Sequence, residues 1–164
     1  MIRRHEPGAI WLIHQGAHAF LAAQIAAHWS GLETDPLREE LILVAAVHDA
    51  GWPPAEQRPT LNPDGLPRSF MEMPLRQHMQ IWQRSIDSAF AQNPYAGLLT
   101  SLHCTALYAM RQANGTDTAE DAAAIAAFVA ERRAWEDALA TSLRDHPHYG
   151  AGVAEGALAE NLRR

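Results

Sequence analysis

Residues 41–52, LILVAAVHDAGW, set an adjacent His48-Asp49 pair where an apolar run ends in Gly51 and Trp52. Acidic side chains are almost never fully buried unless paired, and an unpaired buried carboxylate is strongly disfavoured. Any fold of this chain must therefore bring a donor or a cation to Asp49. Imidazole and carboxylate are also the two ligand types that most often hold divalent metals in proteins.

Apolar residues recur at three and four along most of the chain, and strand signals are weak, so the spacing predicts helices. The first covers 15–29 and stops at Ser30-Gly31, with His18, Leu21, Ile25 and His28/Trp29 on an inward stripe. The second runs from about Pro36 to Ala50, with Asp35 as N-cap, Pro36 in the first turn and Glu39 and Glu40 where the helix dipole favours acids. Its inward line is Leu41, Val44/Ala45, His48 and Trp52. Pro74 opens a third helix with the stripe Leu75, His78/Met79, Trp82, Ile86 and Phe90. Asn93-Pro94 caps a fourth, carrying Leu98/Leu99, Leu102/His103, Ala106/Leu107 and Met110, and Asn114-Gly115 ends it. Asp117 with Glu120 reads as a capping box for a fifth helix to about Arg144, with Ile125, Phe128/Val129, Trp135 and Leu139 facing inward.

Between these, residues 1–13 read as a short extended segment or small hairpin. Residues 53–73 hold five prolines and read as a long loop, packed as a lid through Phe70, Met71 and Met73. Residues 151–164 read as a short peripheral helix. The expected fold is all-α: a compact helical bundle of five to six helices, one domain over residues 1–164, with the Pro-rich loop between helices two and three.

Thirteen basic residues, all arginine, stand against 19 acidic ones, a net charge of −6 with no basic stripe of the kind nucleic-acid polymers require. No apolar stretch is long enough to span a bilayer, and Glu6, Pro7, His14 and Gln15 break the apolar N-terminal segment. The lone Cys104 excludes an internal disulfide and a cysteine zinc framework, and a cytoplasmic location is expected. A homodimer is compatible with these features.

The nine histidines are the compositional oddity. His18, His48, His78 and His103 fall one to each of four predicted helices, on faces assigned to the core. An ion needs donors from different elements, since neighbours on one chain cannot surround it. His18, His48, Asp49 and His103 are the expected ligands of a divalent metal: iron, manganese, zinc or nickel. Such a metal acidifies a bound water. Asp49 is then placed to orient that water, and His78 to steady a reacting group, which makes these two the catalytic candidates.

The His48-Asp49 pair after an apolar helix, with His18 on the preceding one, resembles the signature of HD-domain metal-dependent phosphohydrolases, an all-helical superfamily. That resemblance implies His18, His48 and Asp49 as ligands, a late aspartate as another, and a small phosphorylated substrate such as a nucleotide. Here the late aspartate is not evident, and His103 is the candidate replacement. A resemblance spanning most of the chain rests on QGAHAFLAAQIAAHW, LILVAAVHDAGW, SFMEMPL, HMQIWQRSI and NPYAGLLTSLHCTALY. Together these are similar to an uncharacterised bacterial family catalogued as a domain of unknown function. In its pattern the positions of Gln15, His18, His48, Asp49, Gly51, Trp52 and His103 recur, which implies that they surround one pocket.

The expected function is hydrolysis of a small, phosphorylated molecule, with Gln15, Trp52, Arg68 and Trp82 as substrate contacts and Arg58, Arg68 or Arg76 forking onto phosphate oxygens. The alternative is a non-catalytic module whose pocket of Trp52, Phe70, Trp82 and Tyr108 holds a small ligand. A third reading resembles the damage-inducible thiol-transferase-like bundles, which hold a metal by three histidines and require no HD pair.

Overall fold

The computed structural model describes residues 1–154 and 158. A β-hairpin, β1 (Ile2–Glu6) and β2 (Ala9–Ile13), is followed by six α-helices among the described residues: α1 (Gln15–Ala27), α2 (Arg38–Val47), α3 (Pro53–Gln57), α4 (Leu75–Gln92), α5 (Pro94–Ala113) and α6 (Ala119–Leu143). The chain is thus mostly helical, but not all-α. The hairpin register, Glu6↔Ala9 to Ile2↔Ile13, leaves Pro7-Gly8 as the turn. Proline's fixed φ followed by Gly8 at φ 76° is the pairing a type II turn demands. No described helix is long and apolar enough to cross a membrane.

α5 is the central element, packed on α2, α4 and α6, while α1 packs on α2. Its first half, Tyr95–Ser101, is buried all round rather than on one stripe. Leu107 and Met110, expected inward, are exposed. One apolar cluster joins α4, α5 and α6 through Leu75, Trp82, Ile86, Tyr108, Ile125 and Val129. A second joins α5 and α6 to the residue before α2 and to a 3-10 turn at Gly150–Val153, through Leu37, Tyr95, Leu98, Leu99, Leu143 and Val153. Gly152 and Val153, in a 3-10 turn where the peripheral helix is expected to begin, are therefore buried, while Ala151 is exposed. The rest of the 151–164 expectation falls, apart from Ala154 and Leu158, outside the described residues.

The caps follow local chemistry with shifts of a few residues. Asn93 Oδ1 accepts from Ala96 N at 2.7 Å, with Pro94 opening α5. α6 is capped by Thr118, whose Oγ1 accepts from Asp121 N at 3.1 Å. Asp117, expected in that box, instead takes the Arg111 guanidinium at 3.0 and 3.1 Å. Asp35 Oδ1 accepts from Leu37 N in a turn that precedes α2.

α1 packs differently from its predicted stripe. Its buried positions are Gln15, Ala19 and Ala23, whereas Leu21, Ile25 and Trp29 are 51–58 % exposed and His18, also expected inward, is exposed as well. Small side chains let α1 approach α2 closely, so its large apolar residues are left on the outward side and at the rim of a groove.

The 53–73 segment is not a plain loop. Pro53 and Pro54 occupy the first turn of α3, where a missing N–H costs nothing. The remainder is tied down: Arg3 Nη2 donates to Glu72 Oε1 at 2.6 Å, and Phe70 N to Met1 O at 2.9 Å. Ser69 and Glu72 cap each other across a single 3-10 turn. Glu56 on α3 receives the Met1 amine at 3.0 Å, Gln15 N at 2.9 Å and His14 Nδ1 at 3.1 Å. This carboxylate pins hairpin, α1 and α3 together, and it accounts for His14 outside any metal role.

Candidate metal centre

α2 ends at Val47, and His48 and Asp49 occupy the turn that follows. Gly51 makes that turn possible. Its N–H donates to Ser85 Oγ at 2.9 Å, and a Cβ here would lie 2.1 Å from the Ile81 carbonyl oxygen of α4. Only glycine lets the turn seat this close to α4. Trp52 then enters the interior, 2 % exposed.

His18, His48 and Asp49 form a cluster whose ligand atoms all lie within 4.8 Å of one another. His48 Nδ1 donates to the Ala45 carbonyl at 2.9 Å, which in the neutral imidazole leaves Nε2 with the lone pair. That Nε2 sits 3.2 Å from Asp49 Oδ2. Burial disfavours the charged His48 imidazole, but hydrogen bonding to Asp49 and its charge prevail, and the pKa is raised. Two imidazoles and one carboxylate, one of the three from a separate helix, are the donor count that catalytic metal sites use with a position left open. The residues fit a divalent ion.

The His103 ring lies 5.5 Å from that of His48, centroid to centroid, but contributes no atom to the three-residue cluster. Burial, then the neighbouring His48, lowers its pKa to about 4, so at neutral pH it is an uncharged imidazole. His18, His48 and His103 line one cavity of about 430 Å³ between α1, α2 and α5.

His78 lies elsewhere. It lines a second cavity, of about 400 Å³, with Trp52, Phe70, Trp82, Tyr108 and Arg111. Tyr108 Oη is 3.1 Å from His78 Nδ1, and burial with the nearby Arg111 lowers the His78 pKa to about 4. The Trp82 ring stands between the cavities, 5.7 Å from His103 and 6.1 Å from His78. Phe70 and Met71 of the 53–73 segment line this second cavity, so the expected lid does not border the His18–His48 cavity.

The other expected contacts separate as well. Arg68 Nη1 donates to the Glu72 carbonyl at 3.2 Å, and Arg68 lines neither histidine cavity. Gln15 is buried at the start of α1 and its Oε1 finds no hydrogen-bond partner among the described residues. Gln15, Asp49, Gly51 and Trp52 therefore do not line the cavity that His18, His48 and His103 share. Asp87 is exposed and accepts from Gln83 at 2.8 Å, and Asp117 is held by Arg111, so neither supplies a late ligand.

Sequence reasoning missed a buried carboxylate, Glu136, 4 % exposed on α6. Ser101 Oγ donates to it at 2.6 Å and Thr105 Oγ1 at 3.2 Å. Burial raises its pKa despite those donors. Polar residues at buried α5 positions, Ser101 and Thr105, were the available signal. Cys104 beside them is buried, and burial raises its thiol pKa, which keeps it unreactive.

No curated protein matches the chain, and no solved structure does. The sequence pattern of the family described as "Protein of unknown function (DUF3891)" matches residues 1–158, so the chain belongs to that family.

Proposed function

We propose that this protein is a metal-dependent hydrolase of a small molecule, with His18, His48 and Asp49 holding a divalent ion. The observation that carries this reading is the convergence of three donors, of which His18 and His48 line an open cavity and Asp49 is buried beside them. A bound ion there supplies Lewis acidity and a water acidic enough to act near neutral pH. The chain's own part is to orient and to move protons. The His48 Nδ1–H···O=C Ala45 bond fixes the ring so that Nε2 faces the cluster. Asp49 is the base for the attacking water. The water oxygen bonds to the electrophilic atom, the bond to the leaving group breaks with its electron pair, and the proton passes to that group. The sequence resemblance to HD-domain phosphohydrolases supports the ligand assignment, and His103, its ring 5.5 Å from that of His48, is the candidate for a further ligand.

Metal analysis of the purified protein, paired with a phosphatase, phosphodiesterase and esterase screen of wild type and His48→Ala, tests this reading. Stoichiometric metal and hydrolysis lost on substitution are expected. Hydrolysis unaffected by His48→Ala would sink it.

A second reading, a non-catalytic ligand-binding module, draws on the other cavity. Trp82 Nε1 is buried without a hydrogen-bond partner among the described residues, in a wall shared with Trp52, Phe70 and Tyr108. A buried unsatisfied donor invites a ligand acceptor. Metal-free protein that binds a small ligand, with no turnover, would favour this module.

A further inference from the structure

The walls of the His18–His48 cavity bear on what it takes. α1 presents Ala22, Ile25 and Ala26, and α2 presents Leu41, Val44 and Ala45. Trp29 and Leu32 lie beyond them, and Leu99 of α5 contributes from the central helix. Among the described residues the only ionisable side chains lining it are His18, His48 and His103. None of the described arginines lines it, and the chain has no lysine. A phosphoryl group is normally met by arginine, lysine or a cluster of backbone donors at a helix N-terminus. Here α1 and α2 turn apolar side chains to the space instead.

The histidines stand toward one end of this space. Between His18 and Ala26, α1 rises about 12 Å, with Trp29 further on. His48 follows the last residue of α2, and Leu41 is two turns earlier. A molecule reaching the histidines therefore rests along an apolar channel, and Ile25 and Trp29, each about half exposed, leave its rim open to solvent.

We infer that the substrate has an uncharged, elongated aliphatic body, such as an acyl or alkyl chain. That body lies between α1 and α2, and the hydrolysable group lies at His18 and His48. The inference rests on the hydrolase reading for the head group only; the apolar channel is independent of it. It replaces the phosphorylated small molecule expected from the HD resemblance.

Two titrations by calorimetry separate the possibilities. Straight-chain alcohols from butanol to decanol are titrated into metal-free protein, and alkyl hydroxamates of matching length into protein loaded with zinc or manganese. Burial of each added methylene is expected to tighten alcohol binding about fourfold, until the channel is filled. Ala26→Phe and, separately, Val44→Phe should abolish that gain in protein whose thermal unfolding is unchanged. An alcohol series flat within about twofold would overturn the inference. So would octyl phosphate binding metal-free protein more tightly than octanol. Failure of every alcohol to bind, with concentration-dependent association of the chain, would overturn it too and assign the apolar rim to a second copy. The head-group reading fails separately: hydroxamates that bind no more tightly than the matching alcohols would remove the metal and leave the channel.

Discussion

The two cavities are nearly equal in volume, about 430 and 400 Å³, and each is lined by partly buried histidine, yet they are built for different chemistry. In the first, His48 spends Nδ1 on a backbone carbonyl and turns Nε2 toward a carboxylate and a second imidazole. In the second, His78 shares a hydrogen bond with Tyr108 and meets rings, and the nearby Arg111 is neutralised by Asp117. A histidine on a core-facing stripe is thus an incomplete signal. Donors arriving from separate elements, with one nitrogen turned toward the other donors, distinguish a candidate metal centre from a packed imidazole.

The sharpest way to break this contrast is metal binding by His48→Ala and His78→Ala. Loss of a direct ligand should weaken metal affinity on the order of 100-fold or more, since even supporting residues contribute 10- to 100-fold. His78→Ala should leave it unchanged. Equal losses from both substitutions, measured by competition with a chelator, would erase the distinction between the cavities.

Gly51→Ala tests the joint that serves both. The added methyl would meet the Ile81 carbonyl and the Ser85 backbone of α4, and α4 carries Trp82 and His78. Overpacking against backbone should cost about 3 kcal/mol, a fall of roughly 10 °C in Tm for a chain of this size. A calorimetric Tm within a degree of wild type would mean that the turn does not seat on α4 as described.

His103→Ala should have an intermediate effect, about tenfold on metal affinity, as expected for a neighbour of the ligands. A complete loss in His103→Ala, with metal retained in Asp49→Ala, would instead favour a three-histidine centre.

The smallest expected effect lies away from both cavities. Because burial raises the Glu136 pKa, the native state holds that proton more tightly than the unfolded chain. Glu136 therefore contributes most at acidic pH, and its contribution falls as pH rises through the raised native value. The stability of Glu136→Gln relative to wild type should increase from pH 4 to pH 7, read from paired denaturant curves. A constant difference would indicate that Ser101 and Thr105 compensate the charge in full.

Much of the fold was legible because helix ends obey local rules. Asn93-Pro94, Ser30-Gly31 and Asn114-Gly115 mark boundaries close to those observed, and Pro74 directly precedes α4. Leu75, Trp82 and Ile86 of the α4 stripe are buried as its spacing implies, whereas Phe90 at its end is exposed. The face of α1 was not legible: both its alanine line and its Leu21-Ile25-Trp29 line are apolar at helical spacing, and only the approach of α2 selects between them. The burial of Glu136 and the pairing of Asp117 with Arg111 likewise depend on partners on another element or beyond a helix end.

Local sequence by itself set His48-Asp49 at the end of an apolar helix and required Asp49 to have company, since a carboxylate at a core edge is not tolerated alone. Tertiary structure decided who that company is. It brought His18 within reach through close α1–α2 packing on Ala19 and Ala23, and it sent His78 to the far side of Trp82. The reason is geometric: a dipeptide can supply ligands, but only the packing of separate helices can make donors converge on one point.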